Sequence, residues 1–372
     1  MRKLYISLLF CLLVISAGFT QQQADLPSWA LGPFIRPIPA QPLIQPDSAR
    51  TFKDPMTGNT VHWMKNAAFN PAAVVKDGKI MVLFRAEDFS GIDKIGAHTS
   101  RIGLAETTDG LTMTIRPEPV FYPGHDDQKK YDWPGGCEDP RVAVTEDGTY
   151  VMLYTSWNHE TPRLCVATSR DLIQWTKHGP AFRSAWNGRF KDIPAKSASI
   201  VTRLSDNKQV IEKVNGKYLM YWGEHFVNPA TSEDLVNWTP LLNESNELLQ
   251  LIAPRKGYFD SDLTECGPPA LITDQGIVLL YNGKNAAGTK GDTDYPANSY
   301  CAGQVLFDKN DPTKVLGRLD KPFLYPTESF EKTGQYAAGT VFIEGMVFYN
   351  NKWFLYYGCA DSRVGVAISD KK

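Results

Sequence analysis

Beyond its first fifteen residues the 372-residue chain has no long hydrophobic run. No later stretch reaches the roughly 18 to 20 apolar residues that a transmembrane helix needs. The early run is of another kind: Arg2 and Lys3, an almost wholly apolar Leu4 to Ile15, then Ser16-Ala17-Gly18-Phe19-Thr20. That pattern predicts a secretory signal peptide over residues 1–20 and a mature chain of residues 21–372, periplasmic or secreted and not inserted in a membrane. Cys11 is followed by bulky Leu12, which argues against a surface lipoprotein. Net charge is also lacking. Without Arg2 and Lys3, 37 basic side chains face 41 acidic ones, a balance that excludes nucleic acid or an anionic membrane as the evident partner. Cysteine is sparse: Cys137, Cys165, Cys266, Cys301 and Cys359 remain after processing, odd in number and irregularly spaced, so neither a disulfide framework nor a zinc site is indicated. Histidine is scarce too, and His159 and His225 are too far apart to suggest a metal by spacing. No metal or other cofactor is indicated.

Helical periodicity is almost absent, and a repeat stands in its place. From Trp63 onward one pattern recurs: a small or Pro-rich entrance, an apolar strand, a tight turn, and a second strand ending in an aromatic and polar groups. The copies run from Asn66 to Asp88, Cys137 to Trp157, Lys196 to Glu224, Glu265 to Lys284 and Tyr336 to Asp361. Their turns are Asp77-Gly78, Asp147-Gly148, Asn215-Gly216, Gln275-Gly276 and Asn350-Asn351, each a plausible hairpin loop. A third apolar segment follows at Ile102–Gly110, Leu164–Leu172, Pro229–Leu235 and Val364–Asp370. A short fourth follows at Glu118–Pro123, Gly179–Arg183, Trp238–Leu242 and Lys321–Pro326. Four strands per unit at a period of roughly 60 to 70 residues predict an all-β fold, a five-bladed β-propeller. The last unit lacks its fourth strand, and Ala40 to Pro46 resembles it. The N-terminal segment is therefore expected to close the last blade and remove an exposed edge.

A propeller brings the innermost strands together at its axis, so the unit entrances converge. They carry Asn70, Glu138, Asp139, Arg141, Lys196 and Glu265. The next strand ends add Arg85, Glu87, Asp88, Trp157, His159, Glu224, His225, Asn282, Lys284 and Asp361. Burying so many unpaired charges for stability alone costs several kcal/mol, on the order of a folding free energy, which favours a site over a structural polar channel. The centre is Gly136-Cys137-Glu138-Asp139-Pro140-Arg141, where glycine permits a tight turn and proline holds Asp139 extended. Glu138 and Arg141 could also be a plain ion pair beside a strand. Nine Trp and sixteen Tyr provide planar faces suited to sugar rings. Carboxylates around such a pocket suggest glycosidic bond cleavage. One acid with a raised pKa protonates the leaving oxygen and another carboxylate activates water, with about 6.5–9.5 Å between them in an inverting enzyme. The candidates are Asp139, Glu224 and Glu265.

These residues resemble glycoside hydrolase family 130. The resemblance rests on Glu138-Asp139-Pro140-Arg141, Tyr356-Tyr357-Gly358-Cys359-Ala360-Asp361, Gly267-Pro268-Pro269 with Thr273 and Gly276, and Asp308-Lys309-Asn310-Asp311-Pro312 with Arg318. It implies a five-bladed propeller acting on β-mannosides, in a family of mostly phosphorylases with a smaller secreted branch that hydrolyses β-1,2-mannosides. It also implies that Asp139 is the proton donor, acting through a mannose hydroxyl. Phosphate needs cationic or amide donors. Where the phosphorylases are expected to carry a His-Arg pair, this chain has Trp222-Gly223-Glu224, and Glu265 stands at the Gly-Pro-Pro entrance. Two carboxylates there would repel phosphate and could polarise water. The expectation is an inverting, exo-acting β-1,2-mannosidase, with Glu224 and Glu265 sharing the base role. Asn70, Arg85, Glu138, Arg141, Lys196, His225 and Asp361 are the expected substrate-binding residues, and a β-mannoside oligosaccharide is the expected partner. A β-mannoside phosphorylase and a non-catalytic glycan-binding propeller are the alternatives. Lys196 could merely neutralise Glu224 or Asp139, Arg101 could be a structural pair, and Asp292 with Asp294 lies in a loop that fits no calcium motif.

Overall fold

The computed structural model describes residues 26–370, so the expected signal peptide lies outside the described residues. The fold is almost entirely β, built of curled antiparallel meanders that follow one another along the chain. The first comprises Ala67–Lys76, Lys79–Glu87, Ser100–Thr107 and Thr114–Ile115. The second comprises Gly136–Val144, Tyr150–Trp157, Pro162–Ser169 and Trp175–Pro180. The third runs through Ala198–Ser205, Lys217–Trp222, Asn228–Ser232 and Trp238–Pro240. In the fourth the inner strand is broken into Leu263–Cys266 and Ala270–Thr273, followed by Gly276–Lys284, Tyr300–Phe307 and Val315–Arg318. The break falls on Gly267-Pro268-Pro269, because proline cannot donate to a ladder. The fifth is Val341–Tyr349, Lys352–Cys359 and Arg363–Asp370.

The turns form where Asp, Asn and Gly permit positive φ. Asp77 and Gly78 sit at φ 49° and 72°, and Asn215 and Gly216 at 53° and 83°, the combination a two-residue hairpin loop requires. A second turn repeats after the third strand of three units. Asp109 Oδ1 accepts from the amides of Leu111 and Thr112, Asp171 Oδ1 from Ile173 and Gln174, and Asp234 Oδ1 from Val236 and Asn237. In each, a Thr or Ser hydroxyl two residues earlier caps the same turn. The shared Ser/Thr-x-Asp spelling of the repeat is thus a shared turn mechanism.

Both faces of these strands are covered. One core cluster joins the first and second meanders, another the second and third, and others the third and fourth and the fourth and fifth. A further cluster packs Trp63, Ile80, Val82 and Phe84 of the beginning against Val347, Phe354 and Tyr356 of the end. N-terminal residues pair with the last strand: Ile44 bridges Val364 and Ile35 bridges Ile368, both antiparallel. Arg36 is buried beside them, its guanidinium on Glu331 at 2.7 Å. Glu331 also accepts from the Tyr357 hydroxyl and from the amides of Thr327 and Glu328.

Some local details differ from the sequence reading. In the first and fourth units the regular outer strand lies upstream of the expected segment. The expected segments make single bridges, Ile102 with Phe121 and Ala302 with Leu324. Prolines 117, 119 and 322 interrupt the ladder there. The third unit has an extra hairpin, Ala198–Ser205 with Lys208–Ile211, turning at Asp206 and Asn207, which both have positive φ. All five cysteines among the described residues are buried and free. No helix among the described residues is long and apolar enough to cross a membrane.

Candidate active site

The entrance residues are aimed by bulges. The ladder slips between Phe69 and Pro71 and between Glu138 and Arg141. Asn70 and Asp139 occupy those slips at φ 47° and 49°, so Asp139 is left-handed rather than extended as expected before Pro140, and Ser197, just before the third inner strand, has φ 53°. Asn and Asp tolerate this left-handed region better than most residues. A bulge there redirects a side chain that would otherwise pack into a sheet face. The following prolines, Pro71 and Pro140, have no amide hydrogen to lose at the slip.

The two aimed side chains meet. Asn70 Nδ2 donates to Asp139 Oδ1 at 2.9 Å, and Arg85 Nη1 donates to the same oxygen at 3.1 Å. Arg85 Nη2 also contacts Glu87 Oε1 at 2.5 Å and Glu138 Oε1 at 2.8 Å. One guanidinium therefore serves three buried carboxylates. Ser100, fully buried, accepts from Arg85 Nε at 3.1 Å, and its oxygen lies 3.3 Å from Glu87 and 3.2 Å from Glu138. The cluster leaves no room for error: a Cβ at Gly358 would lie 2.2 Å from Asn70 Oδ1. This accounts for the glycine in Tyr356-Tyr357-Gly358.

One cation among three acids leaves a proton in the cluster near neutrality. Burial pushes the Glu138 carboxyl up to about 7, the Asp139 charge adding to it and Arg85 opposing. Burial alone would raise Asp139 as well, but Arg85, Lys196, Arg141 and the Asn70 donor outweigh it and hold Asp139 at about 2. The raised member of the pair is thus Glu138 rather than the expected Asp139, because Asp139 has the donors. Burial, with Asp139 and Glu87 adding, also raises Asp361 to about 7. Asp361 and Ala360 are both left-handed, at φ 50° and 47°. Gln335 ties that turn to the first meander, donating to the Asp361 carbonyl at 2.9 Å and to Glu87 Oε2 at 3.0 Å.

A second group gathers Lys196, Ser197, Glu224 and Glu265. Lys196 Nζ is 3.3 Å from Glu224 Oε1, these side chains being 25% and 34% exposed, whereas Glu265 is 3% exposed and accepts from the Ser197 hydroxyl. Burial and the Glu224 charge push Glu265 to about 7 against Lys196, Arg141 and the Ser197 donor. Burial alone would lower the Lys196 ammonium, yet Glu224, Glu265 and the acid pair raise it, so it stays charged. Tyr300, stacked edge-on against Tyr336 and Phe342 at 5.5 Å each, senses Glu265, Asp361 and Glu224 after burial in its own upward shift.

Other expected residues are held differently. Arg141 has only 1% of its side chain exposed and its Nη groups are held by Glu344 and by the Asp139 and Cys266 carbonyls, so it frames the site. His225 is exposed, and its backbone carbonyl accepts from Thr264 at 3.0 Å. Arg101 pairs with Asp88 at 2.7 Å and Asp54 at 3.4 Å, the structural alternative. Arg318 holds buried Asp260 at 2.6 Å. Asp292 is used by its loop: Asn285 Nδ2 donates to its carbonyl at 2.9 Å and Asn285 Oδ1 accepts from its amide at 2.8 Å. Ser100, Ser197 and Gln335 join the site without having been selected from sequence, since a neutral residue at a strand end gives no charge signal.

A nearly all-β scaffold gathers two sets of carboxylates, one around Arg85 and one beside Lys196, an arrangement that can serve acid–base chemistry. Residues 34–372 match the family described as beta-1,4-mannooligosaccharide phosphorylase, and the chain belongs to glycoside hydrolase family 130. It is 31% identical over 314 residues to a 1,2-beta-oligomannan phosphorylase of Thermoanaerobacter sp. (strain X514), covering 83% of this chain and 92% of that one. Among solved structures, a glycosyl hydrolase from Bacteroides ovatus superposes with a TM-score of 0.91 at 58% identity, over 94% of this chain and 96% of that one. Another, described as showing that the family contains glycoside hydrolases targeting beta-1,2 mannosidic linkages in Candida mannan, has a TM-score of 0.92 at 57% identity. It covers 94% of this chain and 99% of that one.

Proposed function

We propose that this protein is an inverting, exo-acting β-mannosidase that hydrolyses β-1,2-linked mannosides. In this reading residues 21–372 form one catalytic five-bladed propeller, closed by the N-terminal segment pairing with the last blade and delivered by the signal peptide to the periplasm or beyond. The observation that carries the proposal is the pairing of Glu224 with Glu265 around a single ammonium, Lys196. Water needs a general base at that wall, whereas a phosphate dianion needs several donors and no facing anions.

The division of labour follows from the two carboxylate groups. Glu138 keeps a proton near neutrality while Asp139 rests ionised, so in this reading Asp139 receives that proton from Glu138 before delivering it through a mannose hydroxyl to the leaving oxygen. Proton return between two coupled acids belongs to the pair rather than to either residue. Glu265, with Glu224 beside it, takes a proton from water attacking the opposite face of the ring. Asn70, Arg85 and Asp361 hold the sugar hydroxyls, and Lys196 holds the two glutamates in place. Both the base and the acid pair titrate near 7, so kcat/KM is expected to follow a narrow bell centred near neutrality.

The names of the relatives favour a second reading, a β-mannoside phosphorylase. Incubating the purified protein with β-1,2-mannobiose, with and without inorganic phosphate, separates the two. Equal release of free mannose supports hydrolysis; mannose 1-phosphate formed only with phosphate overturns it. Silence in both, with mannobiose still bound, leaves a glycan-binding propeller.

A further inference from the structure

We propose that Glu344 is a positioning residue that acts through Arg141 to fix the acid pair relative to Glu265. The proposal rests on the functional reading above for the roles of those carboxylates. Glu344 lies within the apolar inner strand Val341–Tyr349, where the ladder slips between Ile343 and Gly345. The slip takes Glu344 out of the pairing and turns it inward, fully buried. Asn282 holds the bulge from the neighbouring meander: its Oδ1 accepts from the Ile343 amide at 2.7 Å and its Nδ2 donates to the Ile343 carbonyl at 3.1 Å.

Glu344 Oε1 stands 2.8 Å from Arg141 Nη1. The two groups are at ion-pair distance, yet neither carboxylate oxygen has a hydrogen-bond partner, and burial pushes the Glu344 carboxyl well above its ordinary value with Arg141 opposing. The two Nη groups of Arg141 are committed to the two halves of the site, while Nε is buried without a hydrogen-bond partner. Arg141 Nη1 donates to the Asp139 carbonyl at 3.0 Å, and Nη2 donates to the Cys266 carbonyl at 2.9 Å, the residue directly after Glu265. Its flat face lies over the Phe342 ring at 5.8 Å. Arg141 is therefore a brace with attachments on the second, fourth and fifth meanders, and Glu344 is its only carboxylate partner at ion-pair distance among the described residues. Without that partner a guanidinium with 1% of its side chain exposed loses its nearest carboxylate and keeps only the more distant Asp139 and Glu265, and it must move or draw in water. Either response shifts Asp139 against Glu265. A displacement of about 1 Å in such geometry costs on the order of 100-fold in rate.

The test compares Glu344→Gln, which retains an oxygen for the guanidinium, with Glu344→Leu, which does not. Glu344→Leu is expected to lower kcat about 100-fold with KM little changed, and Glu344→Gln to recover most of that loss. Equal damage in both variants, or equal loss in kcat and 1/KM, overturns the brace. A crystal structure of each variant gives a readout independent of substrate: in Glu344→Leu, Asp139 leaves φ near +49° or Arg141 loses one of its two carbonyls. Both retained would refute the proposal. If Glu344→Leu does not fold, Arg141→Lys supplies the same comparison, since an ammonium cannot bridge both carbonyls as a planar fork does. Products formed by the wild-type protein test the functional reading separately, and the variant structures test the brace whichever nucleophile is used.

Discussion

Replacing Glu224 with glutamine removes the anion that faces Glu265 and keeps the side chain's size. Glu265 stands at about 7 against an ordinary 4.5, first because it is buried and next because Glu224 repels its charge. As a base it must be ionised, so activity rises with pH through its pKa. A like charge close by raises a carboxyl by about 1 to 3 units. The Glu224 side chain is 34% exposed and already bound to Lys196, so solvent screening puts its effect at the lower end, about 1 unit. Lys196, released from Glu224, then pulls on Glu265 in the same direction. The acidic limb of kcat/KM is expected to move from near 7 to about 6, while the basic limb, set by the Glu138–Asp139 pair, stays in place. Mannose release from β-1,2-mannobiose over roughly pH 5 to 9 reads both limbs. An acidic limb that stays fixed or moves upward would refute the electrostatic coupling. Activity lost at every pH would instead make Glu224 the base itself.

Three further outcomes follow from the geometry. Gly358→Ala places a methyl against Asn70 Oδ1 and should lower kcat by on the order of 100-fold; an unchanged kcat would mean that Asn70 does not position Asp139. Glu331→Gln weakens the buried contact with Arg36 and should cost about 3 to 5 kcal/mol in denaturant unfolding, and a loss below 1 kcal/mol, the scale of about one surface pair, would show that the N-terminal segment adds little. Asp234 is held at about 2 because, although burial alone would raise it, the amides and side chain of its turn stabilise the anion. Its folded pKa is therefore depressed, and the stability it contributes is present above its unfolded value and lost as pH falls through about 2. The Tm difference between wild type and Asp234→Ala should be full at neutral pH and shrink in that acid window; a difference that grows towards low pH contradicts the sign.

The repeat was legible because each unit spells its own local physics. Asp-Gly and Asn-Gly turns, Ser/Thr-x-Asp loops and proline-marked entrances act within a few residues and can be read in order. The site was legible for the same reason: Asn70, Glu138, Asp139 and Glu265 are polar residues where an apolar strand should begin. What escaped was whatever depends on a partner far along the chain. Arg36 and Glu331 are 295 positions apart, and neither looks unusual alone. Ser100 is a serine in a strand, unremarkable until Arg85, Glu87 and Glu138 converge on it. The hairpin at Asp206-Asn207 joins the end of Ala198–Ser205 to Lys208–Ile211, short mixed segments with no clear alternation to betray them. Glu344 did leave a signal, a carboxylate inside Val-Phe-Ile-Glu-Gly-Met-Val-Phe. Asp139 could be selected as a residue, but its depressed pKa could not be foreseen, because the donors responsible come from the first and third meanders.

The pairing of Ile35 and Ile44 with Ile368 and Val364 also sets an order of events in time. Ribosomes make the N-terminal segment first and its strand partners last, so those early residues have nothing to pair with until nearly the whole chain exists. Until then the final meander lacks its outer neighbour. Chain made from left to right therefore keeps its two ends apart until the last meander exists, and the first meander's packing against Val347, Phe354 and Tyr356 waits for the same moment.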